Sequence, residues 1–67
     1  MKAYEVIADR VKKIGITVAE LSRRTEIDSE LLRRSLLGER SIKADELVSL
    51  CHELDISISD LVSKRVA

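Results

Sequence analysis

Arg33 and Arg34 stand side by side in the chain, preceded at helical spacing by Ser29 and Glu30. These four side chains can do the most chemistry. A guanidinium is a planar fork of donors that matches a carboxylate, a phosphate or the O6/N7 edge of guanine. A carboxylate such as Glu30 accepts from a cytosine amine, and a hydroxyl such as Ser29 bonds a base or a phosphate. The plainer alternative is a solvated helix face on which Glu30 pairs with Arg33 or Arg34 at i+3 or i+4. The two readings are compatible, since Glu30 can hold Arg34 in place.

Other chemistries find little support. Cys51 and His52 are adjacent, but a metal site needs more ligands at suitable spacing, and one histidine cannot supply a Ser-His-Asp or Cys-His arrangement. There is no glycine-rich phosphate loop. No enzyme, metal or cofactor is therefore expected, nor a small-molecule substrate. Cys51 falls on an apolar stripe and reads as a buried core thiol, His52 as a surface residue. Tyr4 is the only aromatic residue, which disfavours single-stranded nucleic acid bound by base stacking. No apolar run approaches the roughly 18 residues of a membrane span. The opening MKAYEVIADR has acids and no apolar core, unlike a signal peptide. With a single cysteine, no internal disulfide forms. These features fit a reducing cytoplasm.

The net charge is zero, with 12 basic and 12 acidic residues, but the distribution is uneven. Residues 1–43 carry ten bases and seven acids, residues 44–67 two bases and five acids, so the halves stand at +3 and −3. A basic half can face phosphate while the acidic half faces away; the plainer reading, which charge alone favours, is ordinary solvated faces.

The residues above need helices to position them, and the chain of 67 residues reads as one domain, 1–67, of five short helices. The first spans about 2–14, with Ala3, Ile7, Val11 and Ile14 as its stripe and Gly15 as its stop. Thr17 caps the second, and T-V-A-E forms a capping box with Glu20; this helix ends near Arg24 or Thr25. Asp28 caps the third, in which Leu31, Leu32, Leu36 and Leu37 are apolar and which Gly38 closes. The fourth covers about 43–54, through Ala44, Leu47, Leu50, Cys51 and Leu54, with Asp45 and Glu46 in its first turn. The fifth begins at Ser57 with the box S-I-S-D and carries Ile58, Leu61 and Val62. Residues 63–67 are expected to fray. A strand over D-I-S-I-S-D would have no partner and is set aside.

The informative unit is T-V-A-E-L-S-R-R-T-E-I-D-S-E-L-L-R-R-S-L-L-G, about 17–37: a capped helix, a short turn and a second capped helix. Leu21, Ile27 and Leu32 can share one core, and Ser22 is small where the helices cross. The second helix then projects a polar face, the geometry that fits a major groove. Thr17, Arg23, Arg40, Ser41 and Lys43 are candidates for phosphate, Thr17 because the N-terminus of its helix attracts anions.

From about Val6 to Val62 the chain resembles the phage-repressor-like (Xre/Cro-type) helix-turn-helix family. The resemblance is carried by I-T-V-A-E-L-S-R-R-T-E-I-D, by L-L-R-R-S-L-L-G-E-R and by K-A-D-E-L-V-S-L-C-H-E-L-D-I-S-I-S-D-L. It implies an all-α, compact five-helix, lambda-repressor-like domain that binds operator DNA on paired half-sites. It also implies self-contact through the C-terminal helices, for which Leu37, Ile58 and Val62 are candidates; the plainer and preferred alternative for these three is core packing. The chain departs from the family at three points. Glu26 stands where the turn often has Gly, Val18 where Gln often touches phosphate or braces the recognition helix, and Glu39 where relatives tend to be basic.

The expected function is that of a sequence-specific regulator of transcription, a repressor, reading double-stranded DNA with helix 28–37. The alternative is a protein-interaction module of the same fold, antitoxin-like or anti-repressor, in which DNA binding is secondary or lost. Zero net charge, Glu26, Val18 and Glu39 favour that alternative.

Overall fold

Helix starts in this chain fall where a side chain can take up an orphan backbone N–H. The computed structural model describes residues 2–61. Its helices are α1 (Ala3–Ile14), α2 (Val18–Thr25), α3 (Ser29–Leu36) and α4 (Ala44–Leu54). A fifth, α5, begins at 58 and is described as far as 61. This is the all-α order expected, with no strand among the described residues. Val62 and the tail 63–67, expected to fray, lie outside them.

Thr17 Oγ1 accepts from the Glu20 N–H at 3.1 Å. Asp28 Oδ2 accepts from Glu30 N–H at 3.0 Å and Leu31 N–H at 3.1 Å. Ser57 and Asp60 form both halves of a capping box, each backbone N–H donating to the other's side chain at 3.2 Å. The box expected at Thr17 is only half made, because the Glu20 carboxylate turns to Arg23 and Arg24 instead. Two nearby guanidinium forks attract a carboxylate more strongly than one neutral amide does.

The stops are as local as the starts. Gly15 closes α1 in a left-handed conformation. After α3, Gly38 N–H bonds Ser35 O at 3.1 Å and Glu39 N–H bonds Arg34 O at 2.9 Å, the pair of bonds of a Schellman cap. Gly38 has φ +78°, and a Cβ there would lie 2.5 Å from Tyr4 Cζ, so both backbone angle and space require glycine.

One core holds the helices together: Val6, Ile7, Leu21, Ile27, Leu32, Leu50, Cys51, Leu54, Ile56 and Leu61. Truncating a fully buried leucine such as Leu21 or Leu32 to alanine removes about 2–5 kcal/mol. Both α3 and α4 pack on α1 and α2, whereas α3 against α4 is not among the main helix pairings.

The apolar stripes are narrower than the sequence implies. Ile14 is exposed and Val6 is buried in its stead. Val6 lies one helical turn from Ala3 and beside Ile7, while Ile14 is the last residue of α1. Leu31, Leu37 and Ala44 also face solvent. An eight-residue helix resting on two neighbours can bury only one line of side chains, and in α3 that line is Leu32 and Ser35.

Candidate nucleic-acid interface

The turn between α2 and α3 decides which way α3 faces. Glu26, in the position where relatives often have glycine, has φ 60° and ψ 25°. A non-glycine residue there costs roughly 1–2 kcal/mol. Local bonds hold it: Glu26 N–H donates to Ser22 O at 2.8 Å, and Thr25 Oγ1 donates to Leu21 O at 2.8 Å. The Ser22 hydroxyl donates across the helix crossing to Ile27 O, so Ser22 is a tether as well as a small residue. Ile27 then drops into the core and Asp28 starts α3.

With Leu32 and Ser35 turned inward, Ser29, Glu30, Arg33 and Arg34 are all exposed. Their spacing puts them on adjoining rows of one outward face. Leu37, 55% exposed, continues that face one turn beyond Arg33 and is not part of the core.

Each arginine of α2 and α3 has an acidic neighbour. Arg33 Nη2 meets Glu30 Oε2 at 2.6 Å. Arg34 Nε lies 3.9 Å from Glu39 Oε1, a looser approach. Glu30 therefore holds Arg33, with Arg34 drawn toward Glu39. On α2, Glu20 binds Arg23 at 2.6 Å and Arg24 at 2.8 Å. Hydrogen bonds from Arg33 hold the Glu30 carboxyl below the usual carboxylate range, and Arg23, then Arg24, do the same to Glu20. These pairs are open to water and screened by it, so a phosphate or a base can take the guanidinium over.

Of the phosphate candidates, Thr17, Arg23, Ser41 and Lys43 are exposed. Thr17 uses an oxygen lone pair for its cap and keeps its O–H to donate. Arg40 is placed differently. Its guanidinium is bonded to Ser35 Oγ at 2.8 Å and Glu46 Oε2 at 3.0 Å. Ser35 itself is 1% exposed. The sequence reading missed Ser35 and Glu46 as partners because they lie five and six residues away across a loop, where no helical spacing rule applies.

Cys51 is buried, and burial pushes its thiol pKa up. His52 is exposed. No group of three or more His, Cys, Asp or Glu residues that could hold a metal occurs among the described residues. None of their helices is long and apolar enough to cross a membrane.

The family model for the Cro/C1-type HTH DNA-binding domain matches residues 7–63. No curated protein and no solved structure matches the chain. The matched stretch takes in the capped pair α2–α3, the outward arginines of α3 and the helices that hold them, and on this ground the chain belongs to the Cro/C1-type helix-turn-helix family of DNA-binding domains.

Proposed function

We propose that the protein is a cytoplasmic transcriptional regulator, a repressor, that reads double-stranded DNA with α3 and has no catalytic activity. One observation carries this reading: α3 is capped by Asp28, anchored inward by Leu32 and Ser35, and presents Ser29, Glu30, Arg33 and Arg34 outward together. In the major groove, Arg33 and Arg34 would bond guanine, Glu30 a cytosine amine, Ser29 a base or phosphate, and Leu37 a thymine methyl. Thr17, Arg23, Ser41 and Lys43 would meet phosphates. Because the charges sum to zero, one copy binds weakly, and operator control requires two copies on half-sites about one helical turn apart. Ile58, 56% exposed on the C-terminal side, is the candidate for self-contact.

A second reading has its own support. The pairing of Arg23, Arg24, Arg33 and Arg34 with Glu20, Glu30 and Glu39 offsets much of the positive charge that phosphate would seek. This suits a protein-interaction module of the same fold, antitoxin-like or anti-repressor.

Selection of bound duplexes from a random pool, read by fluorescence anisotropy at low and moderate salt, separates the two. The DNA reading expects a two-fold symmetric site, with log affinity falling against log salt by roughly 0.9 per phosphate contacted. It also expects Arg34→Ala to weaken the selected site by about tenfold or more without a large change in melting temperature. A folded protein that binds no duplex at low salt would overturn it in favour of the interaction module.

A further inference from the structure

Between α3 and α4 the chain crosses residues 37–43 without regular structure. The two helices are not a main packing pair; each packs on α1 and α2 instead, so the loop side chains supply the direct link between them. Arg40, in the middle of this loop, spans the gap. One arm of its guanidinium reaches Ser35 Oγ in the last turn of α3, at 2.8 Å. The other reaches Glu46 Oε2 in the first turn of α4, at 3.0 Å. Neither anchor is loose. Ser35 Oγ also donates to Leu31 O at 2.9 Å, and Glu46 Oε1 accepts from the Lys43 N–H at 3.0 Å, tying the start of α4 to the same carboxylate. The side chains of Arg40 and Glu46 are only 17% and 15% exposed, unlike those of the other arginine pairs.

We infer that Arg40 is a positioning residue: through Ser35 and Glu46 it sets how α3 and the loop bearing Ser41 and Lys43 are presented to the duplex, and it contacts no phosphate itself. The inference rests on the DNA-binding reading above. Two of the five guanidinium N–H groups are engaged and the side chain is only 17% exposed, so little of it is open to a phosphate, whereas a fork joining two helices fixes distance and angle together. Glu46 takes part in DNA binding only indirectly, although its charge alone would oppose it.

Four variants, Arg40→Lys, Arg40→Ala, Glu46→Gln and Ser35→Ala, test this on a selected duplex, each first shown to be folded by its melting curve. Arg40→Lys keeps the charge and loses the fork, so affinity is expected to fall about tenfold, equivalent to ~1.4 kcal/mol. In Arg40→Ala the slope of log affinity against log salt is expected to stay at the wild-type value, since no phosphate contact is lost. Glu46→Gln removes a negative charge, yet is expected to bind more weakly than wild type. Ser35→Ala, the mildest change, should weaken binding in the same direction and bind no more weakly when combined with Arg40→Lys. Arg40→Lys with wild-type affinity, Glu46→Gln binding more tightly, or a slope shallower by about 0.9 in Arg40→Ala would each overturn the positioning role and return Arg40 to the phosphate contacts. Wild-type protein that binds no duplex overturns the DNA-binding reading itself, an outcome distinct from these three.

Discussion

Two arginine–glutamate pairs, Glu30–Arg33 on α3 and Arg40–Glu46 between α3 and α4, use the same groups at 2.6 Å and 3.0 Å. They differ in surroundings. The first lies open, its side chains 62% and 53% exposed, and joins residues one turn apart on one helix. The second is mostly shielded from water and, together with the Arg40–Ser35 bond, links α3 to α4. Water competes with the first at every moment and leaves its guanidinium exchangeable. The second cannot lose one partner without leaving the other's charge poorly solvated. Identical chemistry therefore gives a reactive surface in one place and a fixed joint in the other.

The sharpest break falls at Gly38, in the loop that carries Arg40 of the shielded pair. Gly38→Ala combines a left-handed backbone angle with a methyl group driven into the Tyr4 ring. We expect a loss of about 2–4 kcal/mol in urea unfolding, with partial recovery when Tyr4 is also truncated. A loss confined to the backbone cost, unaffected by truncating Tyr4, would show that ring and loop are not in firm contact.

Next in size is the direct comparison of the two arginines. Arg40→Ala should lower stability by about 1–3 kcal/mol, because it strands a shielded carboxylate and a buried hydroxyl. Arg33→Ala should leave the urea midpoint nearly unmoved while weakening DNA binding. Equal effects on stability would mean that the shielding of the Arg40 pair has no energetic consequence.

Acid titration sharpens the contrast further. Hydrogen bonds from Arg40, and then from the Lys43 backbone, hold the Glu46 carboxyl below the usual carboxylate range. A carboxyl lowered on folding contributes stability that is fully present above its unfolded pKa of about 4.3 and is lost as pH falls through the folded value. Glu46→Gln should therefore be less stable than wild type at neutral pH and lose less on acidification through this window. Glu30 is lowered as well, but its pair is solvent-exposed, so Glu30→Gln should alter the acid limb little and only at low salt. Parallel acid limbs for wild type and Glu46→Gln would remove the pair from the acid response.

The smallest effect expected is on binding. If Glu30 serves only to hold Arg33, Glu30→Gln should raise affinity a few-fold for all duplexes, since one opposing charge disappears. If Glu30 reads a cytosine, affinity falls for the selected site and the preference at one base pair relaxes. Site selection repeated with the variant distinguishes the two.

Much of the fold was legible before any coordinates, because it is written at short range. The caps at Thr17, Asp28 and Ser57 and the stops at Gly15 and Gly38 depend on atoms within a few residues of each other. So does the grouping of Ser29, Glu30, Arg33 and Arg34, which follows from helical spacing once Leu32 is placed inward. The left-handed turn at Glu26 could likewise be anticipated from where relatives place glycine, and the bonds from Ser22 and Thr25 stabilise it locally.

What the sequence by itself determined about this protein is thus the number and order of its helices, their ends, and the family to which the pattern belongs. Tertiary structure alone decided which leucines of α3 are buried, that Val6 replaces Ile14 in the core, that Glu20 serves two arginines before its cap, and that Arg40 joins two helices. The physical reason is range. Periodicity tells which residues share a face, but how wide a strip of that face is covered depends on the neighbours packed against it. The fate of a charge depends likewise on whichever partner the folded chain brings within about 3 Å, however far away in sequence.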